Sequence, residues 1–332
     1  MPRVVSSPLL AALVFVFLPC STPSGYCDAM KESACLPVIV DVYAGEPVSF
    51  DAMLDDLATV SIVYLGELHT IQPHHNFQLT TLQGLFHRRR SLYLGMEMFT
   101  TGQQEVLDRW LAGHHSVAEL GLQLGSEKWT NLADYESLLL FARSNGIRVV
   151  GLNVSNDVVR KVARGQLADL SKEERKNLPE ENLLTPNPLY DKLLRLKLRV
   201  HKAFQGRSLD GVIRAQLLRD SVMAQTIGQT LESLKDKDAV FVVVAGSGHL
   251  GYGFGIPERV RTKMQVSDRI ILPTESGHLI LSDEERRQAV PVEITHEDLR
   301  FIQQPIADYL YVLPMAATDP ESKELAEAQP LE

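Results

Sequence analysis

The stretch YLGELHTIQPHHNFQ, residues 64–78, places a glutamate, three histidines and a glutamine directly after an apolar run. The whole chain has ten histidines, so three within seven residues call for a reason. Histidine beside carboxylate supports two chemistries. A neutral imidazole can ligate a metal ion. The same groups can act as general acid and base once burial and neighbours tune their pKa values. Glu67 and His69 are two apart, so in extended chain they face one side. His74 or His75 with Gln78 are four or three apart and share a helix face, and Pro73 suits the first turn of that helix. These residues predict a strand-end layer, Glu67 and His69, with a helix-start layer at its mouth.

The elements around this stretch must position it. VSIVYLGE (Val60–Glu67), SLYLGMEMF (Ser91–Phe99), IRVVGLN (Ile147–Asn153) and DAVFVVVAGSGH (Asp238–His249) read as apolar strands. Between them Asn76–Arg90, Gly102–Gly113, Asp134–Gly146 and Val212–Leu234 carry apolar residues at helical spacing, and Asp134 is a candidate N-cap. LLRLKLRVHK (Leu193–Lys202) alternates apolar and basic residues, yet its residue types favour helix. RIILP, HLILS, VPVEIT and ADYLYVLP are short strand-like pieces near the C-terminus. The pattern predicts an α/β fold: a mainly parallel central sheet flanked by helices, with short antiparallel C-terminal strands.

Ligands of such sheets bind beyond the carboxyl ends of the strands. The four apolar strands end in Glu67 and His69, Glu97, Asn153, and His249. An acidic residue at a strand end is often a helix cap, and a lone histidine is often core. Four such endings on one sheet edge predict a functional site. Gly66, Gly246 and Gly248 would let backbone approach a ligand closely. No HExxH, GxSxG or GxxxxGKS occurs, so zincin, α/β-hydrolase and P-loop readings lose support.

The net charge of −9 argues against a nucleic-acid binder. Lys192, Arg195, Lys197, Arg199 and Lys202 are expected to form a solvated face or a cationic rim for an acidic ligand or membrane. At the N-terminus Arg3 precedes the apolar run Leu9–Leu18 and a small polar tail, the layout of an export signal over residues 1–26. Cys20 stands where a lipoprotein would carry its acylated cysteine, although Pro19 replaces the usual small residue, and cleavage after Ser24 is the other outcome. Cys27 and Cys35 would then remain and could form a disulfide in an oxidising compartment. One domain is expected over residues 36–315, and a polar, disordered tail over 316–332.

Four blocks now converge on a family. The opening stretch with LGMEMF and QQEVLDRWLAG, then LLRDSVMAQTI (Leu217–Ile227) and VVAGSGHLGYGFGIPERV (Val243–Val260), resemble the ChaN-like haem-binding lipoproteins of bacteria. These share a superfamily with the Tiki proteases and erythromycin esterases. The resemblance implies a GxxH element in each half, Gly66–His69 and Gly246–His249. In the hydrolytic branches it implies Glu67, His69, Glu97 and His249 as the catalytic set, with Glu67, His69 and His249 about a divalent metal ion. Gln78, Asn153, Arg219 and Asp220 would support that set. In the ChaN-like branch it implies haem as cofactor, bound during iron acquisition by a dimer stacking two haems, with a tyrosine on iron. His69, His74, His75, His249 and Tyr252 are the candidates around haem, Met96, Met98 and Phe99 its apolar contacts, and Arg259 and Arg261 its basic rim. Haem binding at the periplasm or outer membrane is the preferred expectation, metal-dependent ester or peptide hydrolysis the alternative.

Overall fold

The computed structural model describes residues 36–88, 91–179, 183–198, 209–234, 236, 238–279 and 294–316. The expected export signal, all three cysteines, most of HLILS and VPVEIT, and the polar tail fall outside the described residues.

The chain opens with β1 (Val38–Asp41), β2 (Glu46–Val48), α1 (Phe50–Leu57) and β3 (Ile62–Glu67). It continues with α2 (Gln72–His87), β4 (Leu92–Thr100), α3 (Gln104–Ala112), α4 (Val117–Leu124) and α5 (Glu136–Ser144). Then come β5 (Arg148–Asn153), α6 (Asn156–Ala163), α7 (Lys172–Arg175), α8 (Pro188–Leu198) and α9 (Leu209–Ser233). The last are β6 (Val240–Gly246), α10 (Ile256–Lys263), β7 (Asp268–Pro273) and β8 (Tyr309–Val312), with one further helical turn at His296–Leu299.

The strands form one sheet in the order β2-β1-β8-β7-β3-β6-β4-β5. From β8 to β5 every pairing is parallel. The antiparallel part lies at one margin, where β1 pairs with both β8 and β2. RIILP therefore joins the parallel set as β7, and among the described residues the antiparallel pairing of the C-terminal pieces is the β8–β1 contact. β2 is the outermost strand, three residues long, and contains Pro47.

β6 explains the layering. All seven of its residues are buried. Val240, Val242 and Val244 join the core formed with α1 to α5, while Phe241, Val243 and Ala245 join the core formed with α9 and α10. Strand alternation thus feeds two hydrophobic layers at once. Each valine or phenylalanine among them contributes roughly 1.5–3 kcal/mol when fully buried. Glu67 lies in step with Val63 and Leu65, so it turns toward α2 and α5.

Two local features differ from expectation. Asp134 caps no helix: it lies in a 3-10 turn, Leu132–Tyr135, and α5 begins at Glu136 without a side-chain cap. That turn instead delivers Tyr135 to the core. The described part of the alternating basic stretch, Leu193–Leu198, is helical in α8, where Tyr190, Leu193 and Leu194 pack against Ile213 and Leu217 of α9. A sheet neighbour would have been needed to favour the strand.

β4 carries a bulge. Its register against β5 runs Met96 to Gly151 and then Thr100 to Asn153, so extra residues accumulate on β4 around Glu97. Gly151 makes the close approach possible: a Cβ there would lie 2.5 Å from the Thr100 carbonyl oxygen. Gly151→Ala is expected to cost about 1–3 kcal/mol by overpacking in a urea melt. Gly248→Ala, with nothing within 4 Å of its added carbon, is expected to leave the midpoint nearly unchanged.

Candidate functional site

The three central strands β3, β6 and β4 end together, and their polar ends meet. On the β3 side Glu67 is buried and held from several directions. Its Oε1 accepts a 2.5 Å hydrogen bond from the Tyr135 hydroxyl and lies 2.5 Å from His69 Nδ1. Its Oε2 accepts from Gln78 Nε2 at 2.7 Å. His69 thus has its inner nitrogen fixed by a carboxylate, and Trp129 packs edge-on against the ring at 4.9 Å. The outer nitrogen lies over Gly246, 3.0 Å from where a Cβ would stand. Glycine is needed there for the ring to reach the centre of the site.

On the β6 side the chain turns sharply after Gly246 and presents His249. Its Nδ1–H donates to Asp220 Oδ1 at 2.5 Å, and its Nε2 faces Glu97 Oε1 at 3.3 Å. Asp220 is steadied by the Tyr190 hydroxyl at 2.8 Å, and the Gln216 amide lies 2.9 Å from the same imidazole nitrogen. Glu97 accepts the Gly246 N–H at 2.7 Å, while the bulged Glu97 carbonyl accepts from Asn153 Nδ2 at 3.1 Å. Arg219 reaches the oxygens of Asn153 and Asn156 at 3.3 and 3.2 Å. Burial lowers the Arg219 pKa, with Glu97 and Asp220 acting against that.

Electrostatics follow from these contacts. Burial works against charge on His249, but the carboxylates of Glu97 and Asp220 outweigh it and push its pKa up to about 10. Burial likewise works against charge on Glu97, yet His249 and then His69 hold its carboxyl far below the usual range. The pair is therefore an imidazolium between two carboxylates. Burial also opposes charge on His69, but the hydrogen bond to Glu67 and the field of Glu97 raise its pKa. The arrangement can move protons and orient a polar group at the sheet edge.

The remaining candidates separate. His74 is fully buried, accepts from the Leu68 N–H at 3.0 Å and reaches the Thr274 carbonyl at 3.1 Å. It staples the β3–α2 turn to the end of β7. His75 packs at a tilt against Tyr135 with ring centroids 4.5 Å apart, and its Nε2 lies 3.6 Å from Glu67 Oε2. Burial lowers the pKa of both, so both are neutral. His74, His75 and Gln78 lie behind Glu67 rather than at a mouth, because α2 packs that face onto the sheet. The expected metal set of Glu67, His69 and His249 does not assemble: both Glu67 oxygens and both His249 nitrogens are already engaged. Among the described residues no three His, Cys, Asp or Glu side chains are disposed to hold a metal ion. Met96, Met98 and Phe99 are sealed in the core and cannot face a haem. Arg261 is paired with Asp268, and Arg259 donates to the Thr185 carbonyl.

Tyr252 stands apart. It follows His249 by three residues and has φ +62°, a conformation that disfavours a non-glycine residue. Its N–H donates to the Ile306 carbonyl and its carbonyl accepts from Gln304, which hold it there. Its hydroxyl makes no hydrogen bond among the described residues, and it lines a cavity of about 390 Å³ with Tyr43, Leu189, Phe254, Ile270 and Ala307. Tyr135, Tyr190, Gln216 and Trp129 were not anticipated from sequence. Only Gln216 had a readable signal, its position one helical turn before Asp220.

A parallel α/β sheet with paired histidine–carboxylate groups at its carboxyl edge defines the class, a two-GxxH domain of the kind its sequence blocks suggested. A family model described as "Haem-binding uptake, Tiki superfamily, ChaN" matches residues 53–260, and the chain belongs to that family. The chain resembles ChaN of Campylobacter jejuni, solved with cofacial haem, with a TM-score of 0.59 and 19% identity over 82% of this chain and 95% of that one. It is also 24% identical over 310 residues to "Protein RETICULATA-RELATED 5, chloroplastic" of Arabidopsis thaliana. That match takes in 85% of this chain but only 38% of the plant protein.

The raised His249 pKa has a sign. The contribution of its charge to stability is complete below about 6.5, its unperturbed value, and is lost as pH rises toward about 10. Thermal melts of the wild type should fall over that window, and His249→Gln should flatten the fall. Equal slopes in both proteins would remove the buried imidazolium.

Proposed function

We propose that this domain binds haem, with Tyr252 as the residue that meets the iron. Membership of the haem-binding family supports the class of ligand. The observation that carries the residue is the Tyr252 phenol, held in a left-handed turn at a cavity rim without a hydrogen-bond partner among the described residues. The other site tyrosines spend their hydroxyls on carboxylates, Tyr135 on Glu67 and Tyr190 on Asp220. Tyrosine is an established haem-iron ligand, and its phenolate suits ferric iron. Leu189 is exposed at this rim, and Phe254, Ile270 and Ala307 line the cavity beneath it, which supports an apolar contact for a porphyrin edge. Burial raises the Tyr252 pKa, so the phenol stays protonated until a strong positive charge meets it.

The setting is part of the same proposal. Residues 1–26 carry the domain across a membrane into the bacterial envelope, where it serves haem or iron acquisition as a dimer, lipid-anchored if Cys20 is acylated. The basic and apolar layout of Arg3 and Leu9–Leu18 supports export. The name of the plant relative places that protein in the chloroplast. No helix among the described residues is long and apolar enough to cross a membrane.

A second reading is favoured by one observation: haem binding does not require a buried imidazolium between Asp220 and Glu97 opposite a carboxylate-held His69. That geometry suits general acid–base hydrolysis of an ester or peptide.

Hemin added to the purified protein should give a Soret shift with micromolar or tighter affinity, about −8 kcal/mol or better. Tyr252→Phe should weaken binding at least tenfold and alter the ferric spectrum. Unchanged binding and spectrum would remove Tyr252 from iron. In an esterase and peptidase panel, turnover that disappears in both Glu97→Gln and His249→Gln would establish the second reading.

A further inference from the structure

An aromatic side chain stands open at the mouth of the Tyr252 cavity. Tyr43 lines that cavity, yet the residue is 74% exposed. Neither its ring nor its hydroxyl has a partner among the described residues. Seven large apolar or aromatic residues are exposed among the described residues, and two of them, Tyr43 and Leu189, meet at this one cavity. Phe254 and Ala307, which line the same cavity, are buried. The exposed apolar surface is therefore gathered at the rim, where burial by a ligand would gain most.

The turn that carries Tyr43 is pinned. It spans residues 42–45 between β1 and β2, whose end residues Asp41 and Glu46 pair. Asp41 Oδ1 accepts the N–H groups of Tyr43 and Ala44 at 2.9 and 3.0 Å, and the Asp41 carbonyl accepts that of Gly45 at 2.8 Å. An aspartate that holds the backbone just ahead of it is favoured turn chemistry. Gly45, at φ +70°, takes the left-handed position that closes the turn. The Val42 N–H then donates to the Asp308 carbonyl at 2.9 Å, and Asp308 lines the cavity. The hairpin is thus tied to the wall beside which it stands. A tyrosine has only two side-chain torsions to fix, so on a held backbone it offers a large contact area at low entropic cost.

The inner wall decides which part of a ligand Tyr43 meets. Glu258 and Asp308 both line the cavity. Glu258 accepts from Asn187 Nδ2 at 2.6 Å and Asp308 from the Ile270 N–H at 2.7 Å, and neither has a salt-bridge partner among the described residues. Arg261 lines the cavity too, but it is paired with Asp268. Carboxylates on a ligand are repelled by this wall, so a flat ligand enters with an uncharged edge inward and its carboxylates toward solvent. We propose that Tyr43 packs its ring on the face of the porphyrin where it emerges from the cavity, while Tyr252 meets the iron. The inference rests on the haem reading for the identity of the ligand. It adds a second binding residue, from the opposite end of the chain, and fixes how the ligand lies. The contact is made by the ring, so the Tyr43 hydroxyl is dispensable.

The test uses the full chain with hemin, hemin dimethyl ester and iron-free protoporphyrin IX. Tyr43→Ala should weaken hemin and protoporphyrin binding about tenfold each, and Tyr43→Phe should keep the affinity and ferric spectrum of the wild type. Tyr252→Phe should weaken hemin alone. The dimethyl ester should bind as well as hemin, because the carboxylates face solvent. Leu122→Ala is the control, since Leu122 is exposed on α4 away from the cavity lining, and it should change no affinity. The melting midpoint of Tyr43→Ala should match the wild type, as for other surface substitutions. Hemin binding that is tight and sensitive to Tyr252→Phe but indifferent to Tyr43→Ala would overturn this inference and leave the haem reading standing. Equal losses in Tyr43→Ala and Leu122→Ala would show adsorption to exposed apolar surface and overturn it as well. A ferric spectrum altered by Tyr43→Phe would put that phenol on the iron and overturn the packing role. An ester bound tenfold more weakly than hemin would overturn the orientation. No binding of any probe would overturn the haem reading and this inference together.

Discussion

The site is organised around one ion cluster that water does not stabilise: the His249 imidazolium between Asp220 and Glu97. Charges removed from solvent cost several kcal/mol each unless partners and hydrogen bonds compensate them. That constraint reaches far into the fold. Glu97 arrives from a bulge in β4, Asp220 from the middle of α9, and His249 from the turn after β6. Each is steadied by a neighbour of its own, through Gly246, Tyr190 and Gln216. An error of one residue in strand register would separate these charges from one another.

The opposite half is built differently. Glu67 is a hydrogen-bond hub with Tyr135, Gln78 and His69 on its two oxygens. His69 keeps about a third of its side-chain surface open, whereas His249 is nearly closed. One half therefore supplies a fixed internal charge, and the other supplies an oriented ring that outside molecules can touch. The two meet at Gly246, where absence of a side chain lets the His69 ring approach the backbone of β6.

Much of this was legible in the sequence, for physical reasons. Continuous apolar strands alternating with helices specify a parallel sheet covered on both faces, and the polar residues ending those strands mark its functional edge. The two-residue spacing of Glu67 and His69 carried their shared orientation. Period and spacing do not reveal partners supplied from afar. Tyr135 comes from a 3-10 turn at a position whose sequence suggests a helix start, and Tyr190 from the first turn of α8, just ahead of the alternating stretch Leu193–Lys202. His74 and His75 looked like site residues because of their neighbours in sequence, but helix packing turned them inward as structural groups. Met98 and Phe99 looked available because they adjoin Glu97, yet both are sealed in the core formed with α1 to α5.

The outer margin formed by β2 bears on how copies of this molecule could meet. A free strand edge is a template for another chain, and here that edge is three residues long with Pro47 lacking an N–H at its centre. Glu46 adds a charge beside it. Continuous sheet formation between molecules is thereby disfavoured at this side. The opposite margin, β5, is covered in part by Gln104, whose side chain bonds the Val149 carbonyl and the Gly151 N–H. Both ends of the sheet are therefore closed to strand addition by local chemistry, one by proline and charge, the other by a side-chain amide standing in for a strand.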